Sequence, residues 1–146
     1  MKRLTEVELY PFKQSFDAGV MGVMVAHLYL PAIDSTRNLA TTLSKPLVTG
    51  LLKDKMKYKG LVFTDALNMK GVSRYYKPGE VDLKALLAGN DVLLFPEDVP
   101  TAVAKISEAV QQKLITQEEI DERVRKILQA KYWTCLLYTS PSPRDS

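Results

Sequence analysis

Apolar and polar positions fall in alternating blocks along this 146-residue chain, and the blocks predict helix and strand in turn. From about Leu4 to Phe16, Val7, Leu9, Phe12 and Phe16 recur near helical spacing, while Pro11 predicts a break or a late helix start. Gly19 follows as a stop. VMGVMVAHLYL (Val20 to Leu30) is almost continuously apolar, the mark of a strand buried on both faces. After the loop PAIDSTRNLATTL, Ser44 and Pro46 read as N-cap and first-turn proline of a helix reaching about Lys57, with Leu47, Leu51 and Leu52 on one side. LVFT (Leu61 to Thr64) reads as a second short buried strand. VDLKALLA (Val81 to Ala88) reads as a helix ended by Gly89, and DVLLF (Asp91 to Phe95) as a third strand. Val99, Val103, Ile106 and Val110 mark one further helix. Thr116 and Glu119 form a capping box for the last, which turns Ile120, Val124, Ile127 and Leu128 inward.

Buried strands separated by helices imply a parallel sheet with right-handed crossovers, so the fold class is α/β. Periodicity does not separate an open sheet from a barrel. Hydrophobic residues at 46% and charged ones at 25% suit one ordinary globular domain. Twenty Lys and Arg against 17 Asp and Glu leave a net charge of +3, too little to argue for a nucleic-acid partner. No apolar run approaches the roughly 20 residues of a membrane helix, and MKRLTEVELY has no apolar core of a signal peptide behind its basic pair. The lone Cys135 excludes an intramolecular disulfide, and the lone His27 excludes a histidine metal cluster. The expectation is therefore no metal, no cofactor, no nucleic acid and no membrane, with oligomeric state and compartment left open.

The ending CLLYTSPSPRDS has no helical or strand period and reads as a disordered tail. From Cys135 through Asp145 it resembles, residue for residue, the translation of a transposase sequencing adapter. Residues 1–134 are then the expected native domain and 135–146 a non-native tail, in which Cys135 carries no biological message.

Ligand sites in parallel α/β folds lie at the carboxyl ends of strands. Three such ends are expected: His27 with Tyr29, Pro31 and Asp34; Thr64-Asp65-Ala66-Leu67-Asn68-Met69; and Phe95-Pro96-Glu97-Asp98. Asp65 is the sharpest candidate, since a carboxylate there can face a cleft and stay ionised. Spacing alone favours a plainer role for it, the N-cap of a following short helix. His27 after a buried strand is more often a hydrogen-bonded structural group than a catalytic one. Asn68 and Met69 can line a pocket or, for the methionine, fill a core. Glu97 and Asp98 suit the opening of the helix at Val99, and Lys53 to Lys59 suits a solvated helix end. Tyr75 and Tyr76 can stack on a sugar ring or simply occupy a surface loop.

GLVFTDALNMKGV (Gly60 to Val72) resembles the nucleophile segment of family 3 glycoside hydrolases, and more closely their β-N-acetylglucosaminidase branch. The β-glucosidase branch usually carries a tryptophan directly after the nucleophile, where Ala66 stands here. VMVAHLYLPAID, AGNDVLLFPED (Ala88 to Asp98) and RVRKILQAKYW (Arg123 to Trp133) resemble the preceding strand, the last strand and the closing helix of the same barrel, so the likeness runs from about Leu4 to Trp133.

The resemblance implies the carboxyl-terminal part of a (β/α)8 barrel, about three parallel strands of its eight, with the site at their carboxyl ends. It implies a retaining hydrolase that removes terminal β-linked N-acetylglucosamine, with a carbohydrate as its partner. Asp65 matches the nucleophile; His27, Met69 and Asn68 match positions near the sugar pocket. The acid/base of this branch is expected from a Lys-His-Phe-Pro-Gly-His-Gly type loop, a motif these 146 residues lack, so the chain alone is expected to be inactive. The alternatives are a β-glucosidase of the same family, a non-catalytic carbohydrate-binding or scaffolding α/β domain, and a piece without a stable fold.

Overall fold

The computed structural model describes residues 3–134, so the expected adapter-like tail lies outside the described residues. Its centre is a parallel pair: β1 (Gly22–Val25) runs beside β2 (Leu61–Thr64) in the register Gly22↔Leu61 to Val25↔Thr64. Alternation sets what each strand buries. Val25 joins Val48, Leu52, Tyr58, Val62 and Ala88 in one core, with Val23 packed against it, whereas Met24 points the other way and is 57% exposed. The apolar run through Leu30 is thus a short strand covered on one face, and Leu28 and Tyr29 stand exposed.

The expected third strand is reduced to one parallel bridge, Val92 to Phe63. Asp91 and Val92 both donate their N–H groups to the Val62 carbonyl, and Thr64 N–H reaches Val92 O at 3.0 Å. Beyond Val92 the ladder is diverted. Leu94 N–H donates to the Thr64 hydroxyl at 2.9 Å, Leu94 O accepts from Leu67, and Phe95 turns to a positive φ of 46°. The segment spends its hydrogen-bonding groups on the turn after β2 instead of on the strand.

A wide turn, Leu4–Glu8, precedes α1 (Tyr10–Asp17), which starts late with Pro11 in its first turn, as its fixed φ favours. The helix Pro46–Lys55 is wound wide, with Met56 N–H bonding Leu51 O at 2.9 Å, five residues back. Then come α2 (Lys70–Ser73), α3 (Glu80–Ala88), α4 (Val99–Gln111) and α5 (Gln117–Trp133). Asp98 caps α4 through Thr101 N–H, and Thr116 with Glu119 forms the reciprocal capping box of α5. In α4 the inward residues are Ala102 and Ala109 with Ile106 and Val110 beside the core; Val99 and Val103 face out. Helix α5 buries no residue fully. Ile120 packs on Leu86, Ala109 and Ile115, while Val124 and Leu128 are exposed, contrary to their expected inward stripe. Polar anchors hold it instead: Arg123 donates to the carbonyls of Asn90 and Leu86, and Lys126 reaches Asp91.

Candidate active site

The carboxyl end of β2 runs directly into a tight turn. Thr64 is fully buried, and Asp65 extends the ladder by one bond, its N–H donating to Val25 O at 3.1 Å. The side chain of Leu67 is completely buried and pins the turn, whose backbone is tied again at Leu67 N–H to Leu94 O (2.9 Å) and Asn68 N–H to Phe95 O (3.1 Å). Among the described residues, Asp65 Oδ1 accepts only its neighbour's N–H, Ala66, at 2.8 Å. The next helix, α2, begins at Lys70 behind Met69, and no side chain caps it. Asp65 is therefore not the N-cap that spacing favoured. It is a half-buried carboxylate on a backbone held from both sides, with Asn68 and Met69 exposed just beyond it.

His27 sits two residues past β1, and both of its ring nitrogens have partners. Nε2 lies 2.9 Å from Ala66 O and Nδ1 2.8 Å from Thr42 Oγ1. A carbonyl only accepts, so Nε2 carries the hydrogen. The Thr42 hydroxyl also lies within donating distance of Val25 O and Ala26 O, both at 3.0 Å. In the neutral ring Nδ1 is an acceptor, so the single Thr42 proton is shared among Nδ1 and these two carbonyls.

A hollow of about 420 Å³ opens beside His27, bordered by Tyr29, Arg37, Asn38, Gly71 and Tyr75; Asp65, Asn68 and Met69 are not among its walls. The Arg74 guanidinium lies 5.0 Å from the centre of the Tyr75 ring. Tyr76, by contrast, packs against the core formed by Leu67, Val72 and Ala85, with Lys84 over its ring, so it is no free stacking platform. Asp34 is a local fastener: the Ser44 hydroxyl at 2.7 Å and the Thr36 N–H hold its carboxyl below the ordinary value of 3.8. Glu97 is exposed and Asp98 is the cap described above.

Three polar residues that the sequence did not single out organise the region. Asn90, fully buried, donates its amide to Thr42 O at 2.8 Å and Ala85 O at 2.7 Å. Thr42 is buried between Asn90 and His27. At the opposite, amino-terminal end of the strands, Asp91 accepts from Lys53 (3.0 Å), Lys126 (3.3 Å) and Val62 N–H (2.9 Å). Lys53 is thus no part of a solvated helix end; burial pulls its pKa down, with Asp91 working against that shift. The one available signal was Asn90-Asp91 itself, a polar pair between two apolar segments, where buried polar groups need partners. Among the described residues no three His, Cys, Asp or Glu side chains gather as a metal would require.

Comparison with known proteins matches residues 1–130 to the glycosyl hydrolase family 3 N terminal domain. A beta-hexosaminidase of Chromobacterium violaceum is 30% identical over 95% of this chain and 38% of its own length. Beta-hexosaminidase A of Pseudoalteromonas piscicida is 25% identical over 88% of this chain and 25% of its own. Among solved structures, a glycoside hydrolase family 3 beta-N-acetylglucosaminidase from Paenibacillus superposes with a TM-score of 0.88, at 33% identity, over 97% of this chain and 27% of that one. The chain thus spans between about a quarter and two fifths of the length of these relatives.

Proposed function

The chain belongs to the glycosyl hydrolase family 3 N-terminal domain family, and from that premise we propose that it carries the nucleophile, Asp65, of a retaining enzyme that removes terminal β-linked N-acetylglucosamine. The observation that carries this reading is the placement of Asp65: a half-buried carboxylate at a strand's carboxyl end, on a turn tied to its neighbours, capping nothing. A group with that setting is free for chemistry, and a fixed backbone keeps it aimed. The hexosaminidase names of the relatives support the substrate class.

In this reading β1, β2 and the Val92 segment are neighbouring members of a (β/α)8 barrel, whose active sites lie at strand carboxyl ends. The Asp65 carboxylate attacks the anomeric carbon while a separate acid protonates the departing oxygen. The same acid group, now a base, then draws a proton from water as that water cleaves the glycosyl ester. The acid/base comes from a Lys-His-Phe-Pro-Gly-His-Gly type loop, so residues 1–134 alone turn over negligibly. Asn68 and Met69, exposed beside Asp65, border the bound sugar.

The test is Asp65→Ala in the complete enzyme carrying this segment, assayed on an aryl N-acetylglucosaminide. Loss of turnover, with azide restoring release and giving the α-glycosyl azide, supports the assignment; retained turnover overturns it.

A further inference from the structure

We infer that His27 is a positioning residue, a latch that sets the turn bearing Asp65, and not a group that touches the sugar; this rests on Asp65 being the nucleophile. The two peptide groups of Ala66 divide the work. Its N–H, on the Asp65 side, holds Asp65 Oδ1 at 2.8 Å, and its carbonyl, on the Leu67 side, accepts from His27 Nε2 at 2.9 Å. The ring is fixed in turn by Thr42 at Nδ1, and Thr42 by the buried amide of Asn90. A continuous series of hydrogen bonds therefore runs from Asn90, through the Thr41–Leu43 turn and the end of β1, to the Ala66–Leu67 peptide, the immediate neighbour of the peptide whose N–H contacts the carboxylate. The series joins four separate stretches of chain, those of Asn90, Thr42, His27 and Ala66, so it fixes where they stand relative to one another.

The same contacts exclude the plainer roles. A sugar hydroxyl would need a free ring nitrogen, and both are engaged. A proton shuttle would need a carboxylate or water-facing partner, and His27 faces a threonine and an amide carbonyl. What the ring can do is fix the rotation of the Ala66 peptides, and with them the direction in which Ala66 N–H holds Asp65. Nucleophilic attack is sensitive to displacements of an ångström or less, so slack here reads out in turnover more than in binding.

The experiment uses His27→Gln, His27→Leu and Thr42→Val in the complete enzyme, with Asp65→Ala alongside. The amide nitrogen of Gln reaches the place of Nε2 and can still donate to Ala66 O; Leu cannot. Expected are a fall in kcat of about tenfold to a hundredfold for His27→Leu with KM within about threefold, and recovery to within about threefold of the parent for His27→Gln. Thr42→Val leaves the Ala66 contact in place and falls in between. A rise in KM with kcat preserved would make His27 a sugar ligand, and an equal loss for Gln and Leu at matched melting temperatures would make donation to Ala66 irrelevant. Either result overturns the inference. Should His27→Leu fail to fold, the Gln and Val variants decide by the same comparison. Inactive Asp65→Ala with unchanged His27→Leu sinks the latch alone, whereas active Asp65→Ala sinks the nucleophile reading itself.

Discussion

Asn90 and Thr42 stand 48 positions apart in the chain and are joined by a 2.8 Å hydrogen bond from the buried Asn90 amide to the Thr42 carbonyl. The second amide hydrogen goes to Ala85 O, so one side chain ties α3 to the Thr41–Leu43 turn. Both acceptors are carbonyls, which fixes the amide orientation and makes Asp a poor substitute. Asn90→Ala is expected to lower the unfolding free energy by about 2 kcal/mol, from two lost bonds and carbonyls left under-satisfied. Asn90→Asp places an acceptor against two acceptors and costs more at neutral pH than in acid, where a protonated carboxyl can donate once. Urea unfolding of the chain at two pH values checks both, and equal midpoints for Asn90→Asp at both would refute the donor argument.

Asp91 is expected to be a second weak point. Its side chain is 2% exposed and it serves two lysines and a backbone N–H, whereas the lysines keep 22% and 33% exposure and retain some access to water. Removing the shared anion leaves two cations close together over a desolvated strand end. Asp91→Asn should therefore cost about 2 to 3 kcal/mol, discounted from a fully buried pair because the lysines are partly solvated. Lys126→Met, which leaves Lys53 in place, should cost less than half of that. A loss below about 1 kcal/mol for Asp91→Asn, whose amide oxygen still accepts from Val62 N–H, would show that Asp91 is held by that bond and not by its charges.

Much of this was readable from the residues, for physical reasons that differ by element. The Asp98 and Thr116 caps follow local rules, and β2 with the turn after it combines an apolar period with turn-forming residues. The third strand was not readable, because Leu94 and Leu67 exchange a bond that depends on how a distant turn is folded. The outward Val103, Val124 and Leu128 show the limit of an apolar stripe: α5 is fastened by Arg123 and Lys126, and polar anchoring leaves no periodic trace. Asp65 was recognisable as a candidate, but only the position of α2 decides that it is not a cap.

That decision makes its own prediction. Because Asp65 accepts, among the described residues, only from the adjacent Ala66, Asp65→Asn is expected to shift the unfolding free energy by less than about 1 kcal/mol while removing turnover in the complete enzyme. Thr116→Ala is the control, since it opens a true capping box and should cost about 1 kcal/mol with no effect on turnover. A larger stability loss for Asp65→Asn than for Thr116→Ala would return Asp65 to a structural role.

Acid titration should separate carboxylates of opposite sign. The Ser44 hydroxyl holds Asp34 low, and the Thr116 N–H does the same for Glu119. For both, the folded pKa lies below the unfolded one, so their stabilisation is present above the unfolded value and is lost as pH falls through the folded value. Asp82 behaves oppositely. Burial raises it above its ordinary 3.8, outweighing the Gly79 N–H, so its contribution is greatest below the unfolded value and fades as pH rises through the folded one. Urea midpoints measured from about pH 6 down to pH 2 should fall chiefly below about pH 4, with Asp34→Asn flattening that fall and Asp82→Asn steepening it. Identical curves for Asp34→Asn and the parent would remove Ser44 from the account.

Gly89 ends α3 with φ at +114°, a backbone conformation that side chains rarely adopt. Space closes the position a second time: a Cβ there would stand 2.5 Å from Thr49 Oγ1 and 3.4 Å from Val48 Cγ1. The Thr49 hydroxyl cannot simply swing aside, because it donates to the Ala88 carbonyl at 2.8 Å, one of the acceptors left open at the helix end. Gly89→Ala thus combines dihedral strain with loss of that bond, for an expected cost of about 2 to 3 kcal/mol. Thr49→Ser keeps the hydroxyl, and Thr49→Ala removes the atom the new methyl would meet. If steric overlap dominates, Thr49→Ala should recover about half of the Gly89→Ala loss in a double-mutant comparison of urea midpoints. If the two losses merely add, the dihedral angle alone requires the glycine.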